Sequence, residues 1–281
     1  MTYVDVPDKR QKHPHYEHRT EKLDRKDNEF SSKKFHHVRK VSTHKKLLKS
    51  LGRIGMCLND KPSTNLPTGD LDKVCFILVN DYEEDDNNEL GVGPLNDGYL
   101  VGLKHHRLGF KVFYLYNPNS EEFSQYLALF MKNTQQALTV FYTGRCTNES
   151  QGIEFNNGSL SREAIGNIVA TNCNGNAHVV FITDCPGSGS VFDINCTSPN
   201  NGQPTNLISF FVEKTSEPES KEGKRSHGIF TYYFCKITSD CPNITPNRLV
   251  DRMAPSLKRF GENFRCEITD HKLADSPIFF N

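Results

Sequence analysis

From residue 73 onward, continuous apolar runs that end at polar residues alternate with segments of helical periodicity. Continuous apolar runs are typical of strands covered on both faces, as in parallel sheets. The predicted strands cover residues 74–79, 110–116, 137–142, 177–183, 207–212 and 277–280. Strands that alternate with helices predict an α/β fold, in which a mostly parallel, six-stranded sheet is flanked by helices.

Capping residues mark several helices between these strands. The predicted helices cover residues 95–108, 119–132, 161–170, 228–236 and 245–260, and a short hairpin is predicted within residues 149–158. Ser161 and Thr245 are predicted N-caps, since their side chains can accept from free backbone N–H groups. Pro246 favours the first turn of the last helix, where its missing N–H costs little.

Residues 1–72 follow a different pattern, with many charged side chains and few aliphatic ones. Such a segment buries too little apolar surface to offset ordering, so we predict that it is largely disordered. The exception is a short helix over residues 43–54, where Leu47 and Leu51 share one face. The α/β domain is predicted to cover residues 73–281. Residues 1–50 have two interpretations, a solvated tail or a basic arm that binds a partner.

Composition excludes several classes of function. Lys and Arg together number 34, as do Asp and Glu, so the chain has no formal net charge. The acids interspersed among the bases argue against a nucleic-acid partner. No run of 18 apolar residues is present, so no membrane span is expected. Nine cysteines without C-x-x-C spacing or an export signal predict reduced thiols in a cytoplasmic protein without a structural metal.

Two polar turns follow the third and fourth predicted strands. The first turn is residues 143–146 (Thr-Gly-Arg-Cys), and the second is residues 184–189 (Asp-Cys-Pro-Gly-Ser-Gly). Right-handed crossovers place the ends of these two strands side by side. Ligands of open α/β sheets bind at such carboxyl ends, so a cleft is predicted between the two turns.

These motifs, in this order, resemble the caspase fold, and specifically its metacaspase branch, over residues 73–281. Residues 74–82 resemble the family's first strand, and residues 90–98 its L-x-G-x-x-N-D-A helix start. Residues 143–146 are similar to the family's S-G-H-G loop, and residues 184–193 to its D-x-C-H-S-G-S-V-F-D loop. The resemblance implies a three-layer, caspase-like sandwich. It also implies a cysteine endopeptidase that cuts after Arg or Lys with a His/Cys dyad.

Both dyad positions are substituted in this chain. Arg145 stands at the histidine position, and Pro186 stands at the cysteine position. Arginine stays protonated at physiological pH and cannot act as a general base. Proline carries no nucleophile and no backbone N–H. We therefore predict a pseudopeptidase that binds or regulates a protein partner, with active paralogues of the family among the candidates.

An active cysteine endopeptidase that uses Cys185 is the alternative interpretation. Cys185 is adjacent to the lost position, but the sequence shows no partner for it, and a buried thiol is the simpler interpretation. His178 lies six residues before Asp184 on the same strand, about 20 Å away at extended spacing, which is too far for a base. Ser188 and Ser190 are interpreted as turn residues.

The resemblance also assigns three acidic positions. Asp184 matches one acid of the pocket that takes a basic side chain, and Glu213 corresponds loosely to the other. Asp193 matches one aspartate of a calcium site, but Arg162 falls near the remaining acids and would oppose a cation. We predict no cofactor, with calcium at Asp193 as the alternative.

Two expectations concern larger arrangements. Arg145 is expected to form a salt bridge with Asp184 across the former catalytic cleft. The chain is expected to be a monomer, because the predicted last strand, residues 277–280, is too short to pair well with a second copy.

Overall fold

A seven-stranded, mostly parallel sheet between two helical layers forms the centre of the computed structural model, which describes residues 44–61, 71–82, 90–147, 152–185, 190–194, 206–214 and 228–279. The strands are β1 (Gly55–Cys57), β2 (Lys73–Val79), β3 (Lys111–Tyr116), β4 (Ala137–Thr143), β5 (Ile153–Phe155), β6 (Gly158–Leu160), β7 (His178–Asp184), β8 (Leu207–Lys214) and β9 (Glu262–Ile268). The order in the sheet is β1-β3-β2-β4-β7-β8-β9. Only β9 runs antiparallel to its neighbour, and β5 and β6 form a separate hairpin.

Helices cover both faces of the sheet, which confirms the predicted α/β three-layer sandwich. The α-helices of the described residues are α1 (His44–Ile54), α2 (Gly93–Arg107), α3 (Ser120–Asn133), α4 (Arg162–Asn172), α5 (Ile229–Asp240) and α6 (Pro246–Lys258). A short 3-10 helix covers His271–Asp275. Helices α1, α2, α5 and α6 pack on one face, which we call the first core, and α3 and α4 pack on the other, the second core. No helix of the described residues is both long and apolar enough to cross a bilayer.

Strands β4 and β7 are buried along their whole length, as their continuous apolar sequences predict. Successive side chains of a strand point to opposite faces. Ile182 therefore lies in the first core, whereas Phe181 lies in the second. The same alternation separates the next two residues, because Asp184 turns toward α5 and Cys185 lies in the second core.

The predicted helix caps are present. The Ser161 hydroxyl accepts from the Ala164 N–H at 3.1 Å at the start of α4. Thr245 caps α6, and Pro246 lies in the first turn of that helix. Asn119 and Glu122 form a reciprocal capping box at the start of α3. These local bonds satisfy N–H groups that a helix leaves unpaired, which explains why the helix starts could be predicted.

The sheet has seven strands rather than the predicted six, and its edges differ from the prediction. Strands β1 and β9 form the two edges, and neither was predicted. β1 has only three residues, and β9 has no continuous apolar run. The described part of residues 277–280 forms no strand; Ile278 instead donates its N–H to the Ile244 carbonyl. The prediction of a monomer was argued from this strand. Without the strand that argument no longer applies, and the monomer stays a prediction.

The fold also includes residues before the predicted domain boundary at residue 73. Leu47 and Leu51 of α1 are completely buried in the first core, and β1 pairs with β3. The helix predicted over residues 43–54 is therefore confirmed as α1, but it is part of the domain and not of a separate tail. The predictions for residues 1–43 lie outside the described residues.

Candidate functional site

The two predicted turns emerge side by side at the carboxyl edge of the sheet. β4 and β7 pair in parallel, and their last residues, Thr143 and Asp184, are register partners. The structure describes the whole first turn and, of the second turn, Asp184 and Cys185. Pro186 and Ser188 lie outside the described residues.

Arg145 is held in place by two buried tyrosines. The Tyr142 hydroxyl donates to the Arg145 carbonyl, and the Arg145 N–H donates to the Tyr82 hydroxyl oxygen at 3.2 Å. Burial raises the pKa of both tyrosines, so both hydroxyls keep their protons. The Arg145 guanidinium lies over the Tyr82 ring at 5.4 Å from its centroid, a cation–π contact. Arg145 is thus fixed at the position where the resemblance expects a histidine.

The expected salt bridge between Arg145 and Asp184 is wrong. The Asp184 carboxylate turns toward α5, where its Oδ2 accepts from the Thr231 hydroxyl at 2.5 Å and from the Thr231 N–H at 3.2 Å. Strand alternation is the reason, because the last residue of β7 faces the first core. The carboxylate therefore finds its donors in a helix and not in the neighbouring turn.

A second buried acid, Asp97 of α2, lies beside Asp184. Both oxygens of Asp97 accept from the Gly228 N–H, at 2.9 and 2.8 Å. A Cβ atom placed on Gly228 would lie 2.1 Å from the Asp184 Oδ2 and 3.0 Å from the Asp97 Oδ2. The two carboxylates therefore converge on the N-terminus of α5, where free N–H groups and the helix dipole favour negative charge.

The environment of these two acids favours their protonated forms. Burial raises the pKa of Asp184, and burial together with the charge of Asp184 raises the pKa of Asp97 well above its ordinary value. Two adjacent carboxylates that are both withdrawn from water cannot both ionise easily. The pair therefore retains a proton at pH values above the range in which aspartates usually titrate. Only 3% of Asp97 and 9% of Asp184 are exposed, because the first turn of α5 covers them.

Glu213, the other predicted pocket acid, does not lie beside Asp184. Its carboxylate accepts from the Arg265 Nε at 2.9 Å, across the β8–β9 pair. Its neighbour Val212 lies in the first core, so alternation directs Glu213 to the opposite face from Asp184. The acid that joins Asp184 is Asp97, which lies within the segment 90–98 that resembles the family's helix start and for which no role was predicted.

The turns are joined by a disulfide between Cys146 and Cys185, whose Cα atoms are 6.2 Å apart. The expectation that all nine cysteines are reduced is therefore wrong for this pair. The six other described cysteines are free thiols: Cys57, Cys75, Cys173, Cys235, Cys241 and Cys266. In the disulfide, Cys185 has no thiolate and is not a nucleophile. The sequence held the signal, since both turns of the predicted cleft contain a cysteine.

Neither His178 nor His44 lies beside Cys185. His178 begins β7, at the opposite end from Cys185, and its Nε2 contacts the Ile278 carbonyl at 3.0 Å. Burial lowers the pKa of His178 to about 4, so the interpretation as a neutral, buried strand histidine is confirmed. His44 of α1 pairs with Asp81 at 2.7 Å, on the first-core side of the sheet, whereas Cys185 lies in the second core.

Ser190, which follows the second turn, is buried and hydrogen-bonded. Its hydroxyl lies 2.8 Å from the Phe192 carbonyl, to which it donates, and 3.1 Å from the Ser209 hydroxyl. These contacts agree with its interpretation as a turn residue, because a hydroxyl in such contacts serves the local backbone.

Asp193 faces an arginine. The Arg162 Nη2 lies 3.6 Å from the Asp193 Oδ1, so a guanidinium stands where the resemblance would place further calcium ligands. Within the described ranges, no group of three or more His, Cys, Asp or Glu side chains has an arrangement that could hold a metal ion.

The carboxyl edge of the sheet thus combines a fixed arginine, a disulfide and a covered pair of acids. No protein-family model and no curated protein matches the chain, so its interpretation depends on this geometry and on the motifs quoted above.

Proposed function

We propose that this chain is a caspase-fold, metacaspase-like pseudopeptidase that binds or regulates a protein partner through the carboxyl edge of its sheet. The observation that carries the proposal is the position of Arg145. It stands in the turn that follows β4, the neighbour of β7 in the sheet, at the position where the resemblance expects the general base. A guanidinium keeps its proton at any physiological pH, so it cannot activate a thiol or a water molecule.

The surroundings of Arg145 support the same proposal. Cys185 is bonded to Cys146 and therefore offers no thiolate. Asp97 and Asp184, the acids next to the cleft, already accept from the first turn of α5 and are almost completely buried. A basic substrate side chain would have to displace Gly228 from Asp97 and Thr231 from Asp184. Binding without cleavage agrees better with this arrangement.

The alternative, peptidase activity from Cys185, requires the disulfide to open first. The proposal is therefore tested by incubating the full chain with peptides that report cleavage after Arg or Lys, with and without a dithiol reductant and with and without calcium. A thiol-reactive probe, followed by peptide mapping, reports whether Cys185 is a reactive nucleophile. The matched variants are Cys185→Ala and Cys173→Ala, the second of which removes a partly exposed free thiol.

We expect no hydrolysis above the level of Cys185→Ala under any of these conditions. Hydrolysis by the reduced chain that disappears in Cys185→Ala and persists in Cys173→Ala would overturn the proposal. That result would establish the alternative of an active endopeptidase.

The proposed partner is a protein, and active members of the caspase fold that cut after Arg or Lys are the first candidates. Saturable binding of such a peptidase to the immobilised chain supports the proposal if Arg145→Glu weakens it, because this change reverses the charge at the cleft. Arg107→Glu, on the exposed end of α2, is the matched control. Equal binding by both variants would show that the interface lies away from the cleft.

A cytoplasmic location stays a prediction. It was argued from reduced thiols, and the disulfide between Cys146 and Cys185 removes that support.

A further inference from the structure

We propose that Cys146 and Cys185 form a reversible redox site that links or releases the two turns at the carboxyl edge of the sheet. The inference goes beyond the proposed function and does not depend on it, because it concerns thiol pairing and not partner binding. The two Cα atoms are 6.2 Å apart, within the usual range of about 4.4–6.8 Å for disulfides.

The position of the pair gives the bond a structural effect. The β4–β7 ladder ends at Thr143 and Asp184. Beyond it, Cys146 pairs with Ile153 of the β5–β6 hairpin and packs against the second core, in which Cys185 is buried. In the described residues, the disulfide is the covalent link between the turns beyond the end of their backbone pairing. Opening this bond removes a restraint where the sheet offers no other ladder contact.

The two cysteines differ in exposure. Cys185 is 1% exposed, whereas Cys146 is partly exposed beside the hairpin. An external thiolate therefore reaches the Cys146 sulfur first, and Cys185 is the leaving group. This asymmetry predicts a single order of events, with the mixed disulfide forming at Cys146.

The exchange is balanced with a dithiol as the reductant. One thiolate of the dithiol attacks the Cys146 Sγ, and the Cys146–Cys185 bond breaks. The electron pair moves to the Cys185 Sγ, which takes a proton from solvent. The second thiolate of the dithiol then attacks its own sulfur in the mixed disulfide, which releases Cys146 as a thiolate. The dithiol becomes a cyclic disulfide, so it loses the two electrons that the protein gains.

The reverse reaction takes a low-molecular-weight disulfide, such as oxidised glutathione, as the oxidant. The Cys146 thiolate attacks the oxidant and releases one glutathione thiolate. The Cys185 thiolate then attacks the mixed disulfide at Cys146 and releases the second. Cys75 and Cys235 do not compete in the folded protein, because burial raises the pKa of both thiols.

The test is a redox titration of the full chain in mixtures of reduced and oxidised glutathione. Each sample is acid-quenched, alkylated in denaturant and mapped by mass spectrometry. We expect Cys146 and Cys185 to lose alkylation together, in one transition, and to appear as a cross-linked peptide pair. Under limiting dithiol, the trapped mixed disulfide should map to Cys146.

Variants and a second measurement complete the test. Cys146→Ser should leave Cys185 alkylated at every ratio, whereas Cys173→Ser should keep the transition. Backbone amides of residues 144–147 should exchange hydrogen at least about tenfold faster in the reduced wild type than in the oxidised form, because the restraint is gone.

Independent alkylation of the two cysteines at every ratio would overturn the proposal, as would pairing of either with a third cysteine. Equal amide exchange in the two redox states would overturn the linking role. The wild-type titration needs no variant to fold. Its failure would also leave the peptide-cleavage test of the pseudopeptidase proposal untouched, so the two proposals fail separately.

Discussion

Asp97 and Asp184 are two acids whose carboxylates the fold buries beside each other. A buried charge is costly unless it is hydrogen-bonded; Asp97 accepts from the Gly228 N–H, and Asp184 accepts from the two donors of Thr231. The first turn of α5 therefore supplies the hydrogen bonds that these acids would otherwise receive from water. Because the donors are few and the acids are two, retention of a proton by the pair lowers the cost further.

This arrangement predicts how stability depends on pH. The unfolded chain releases the Asp97 proton near the ordinary pKa of about 3.9. The folded chain holds it longer, because burial and the charge of Asp184 raise the pKa of Asp97. The stability that Asp97 contributes is thus fully present below a pH of about 4 and is lost as the pH rises toward the folded pKa. In Asp97→Asn, the amide stays neutral throughout, so this loss does not occur.

We therefore expect the free energy of unfolding of Asp97→Asn, relative to wild type, to increase between pH values of about 4 and 7. The gain is about 1.4 kcal/mol for each unit by which the folded pKa is raised. Urea unfolding at several pH values measures it, and Asp251→Asn, on the exposed face of α6, controls for the loss of one negative charge. A difference that stays constant with pH would contradict the protonated pair.

At the scale of elements, the seating of α5 explains why its N-cap is glycine. Gly228 has φ −67°, a value that any residue adopts, so backbone conformation does not require glycine here. Space does, because a Cβ atom would lie 2.1 Å from the Asp184 Oδ2. The helix must approach the two carboxylates this closely for its N–H groups to reach them.

Gly228→Ala should therefore destabilise the protein by about 1–3 kcal/mol, the usual cost of forcing extra atoms into a packed site. Gly52→Ala is the matched control, since Gly52 lies inside α1 and an added Cβ would meet only the Tyr114 hydroxyl, at 3.4 Å. There the helix propensity of alanine should stabilise by up to about 1 kcal/mol. Chemical unfolding measures both changes, and effects of the same sign would contradict the close seating of α5.

The elements that could be predicted are those with local signals. β4 and β7 have continuous apolar sequences, and α4 and α6 begin at Ser161 and Thr245, which can cap a helix by themselves. β9 could not be predicted in this way, since most of its residues are only partly buried and its pairing with β8 is a long-range contact. Periodicity reports which side chains are buried, not which backbone edge is available.

The same limit applies to the site. That the turns after β4 and β7 lie together could be predicted, because crossover handedness is a general rule. The proximity of Asp97 and Asp184 could not be predicted, since it depends on how α2 and α5 pack on one face of the sheet. The separation of Glu213 from Asp184 was missed, although alternation along β8 would have shown that Glu213 and the apolar Val212 face opposite sides.

At the scale of the whole molecule, α1 and β1 complete the first core at one edge of the sheet. Leu47 and Leu51 are completely buried, and Gly102 of α2 leaves room for α1 to pack closely, since an added Cβ would lie 3.4 Å from Leu51 and 3.1 Å from Ile77. Each fully buried leucine contributes about 1.5–3 kcal/mol, against a total stability of about 5–15 kcal/mol for a typical protein. The folded unit therefore includes α1 and does not start at residue 73.

Two truncations test this boundary. A chain without residues 1–43 keeps every contact that α1 makes with the described residues and should unfold cooperatively in urea. A chain without residues 1–72 loses α1 and β1 and exposes the apolar face of α2, so it should aggregate or unfold without a cooperative transition. Leu51→Ala in the full chain is the milder form of the same test and should cost about 2–5 kcal/mol, whereas Leu48→Ala, at a half-buried position, should cost less. A cooperative and equally stable chain without residues 1–72 would return the boundary to residue 73 and make α1 an appendage.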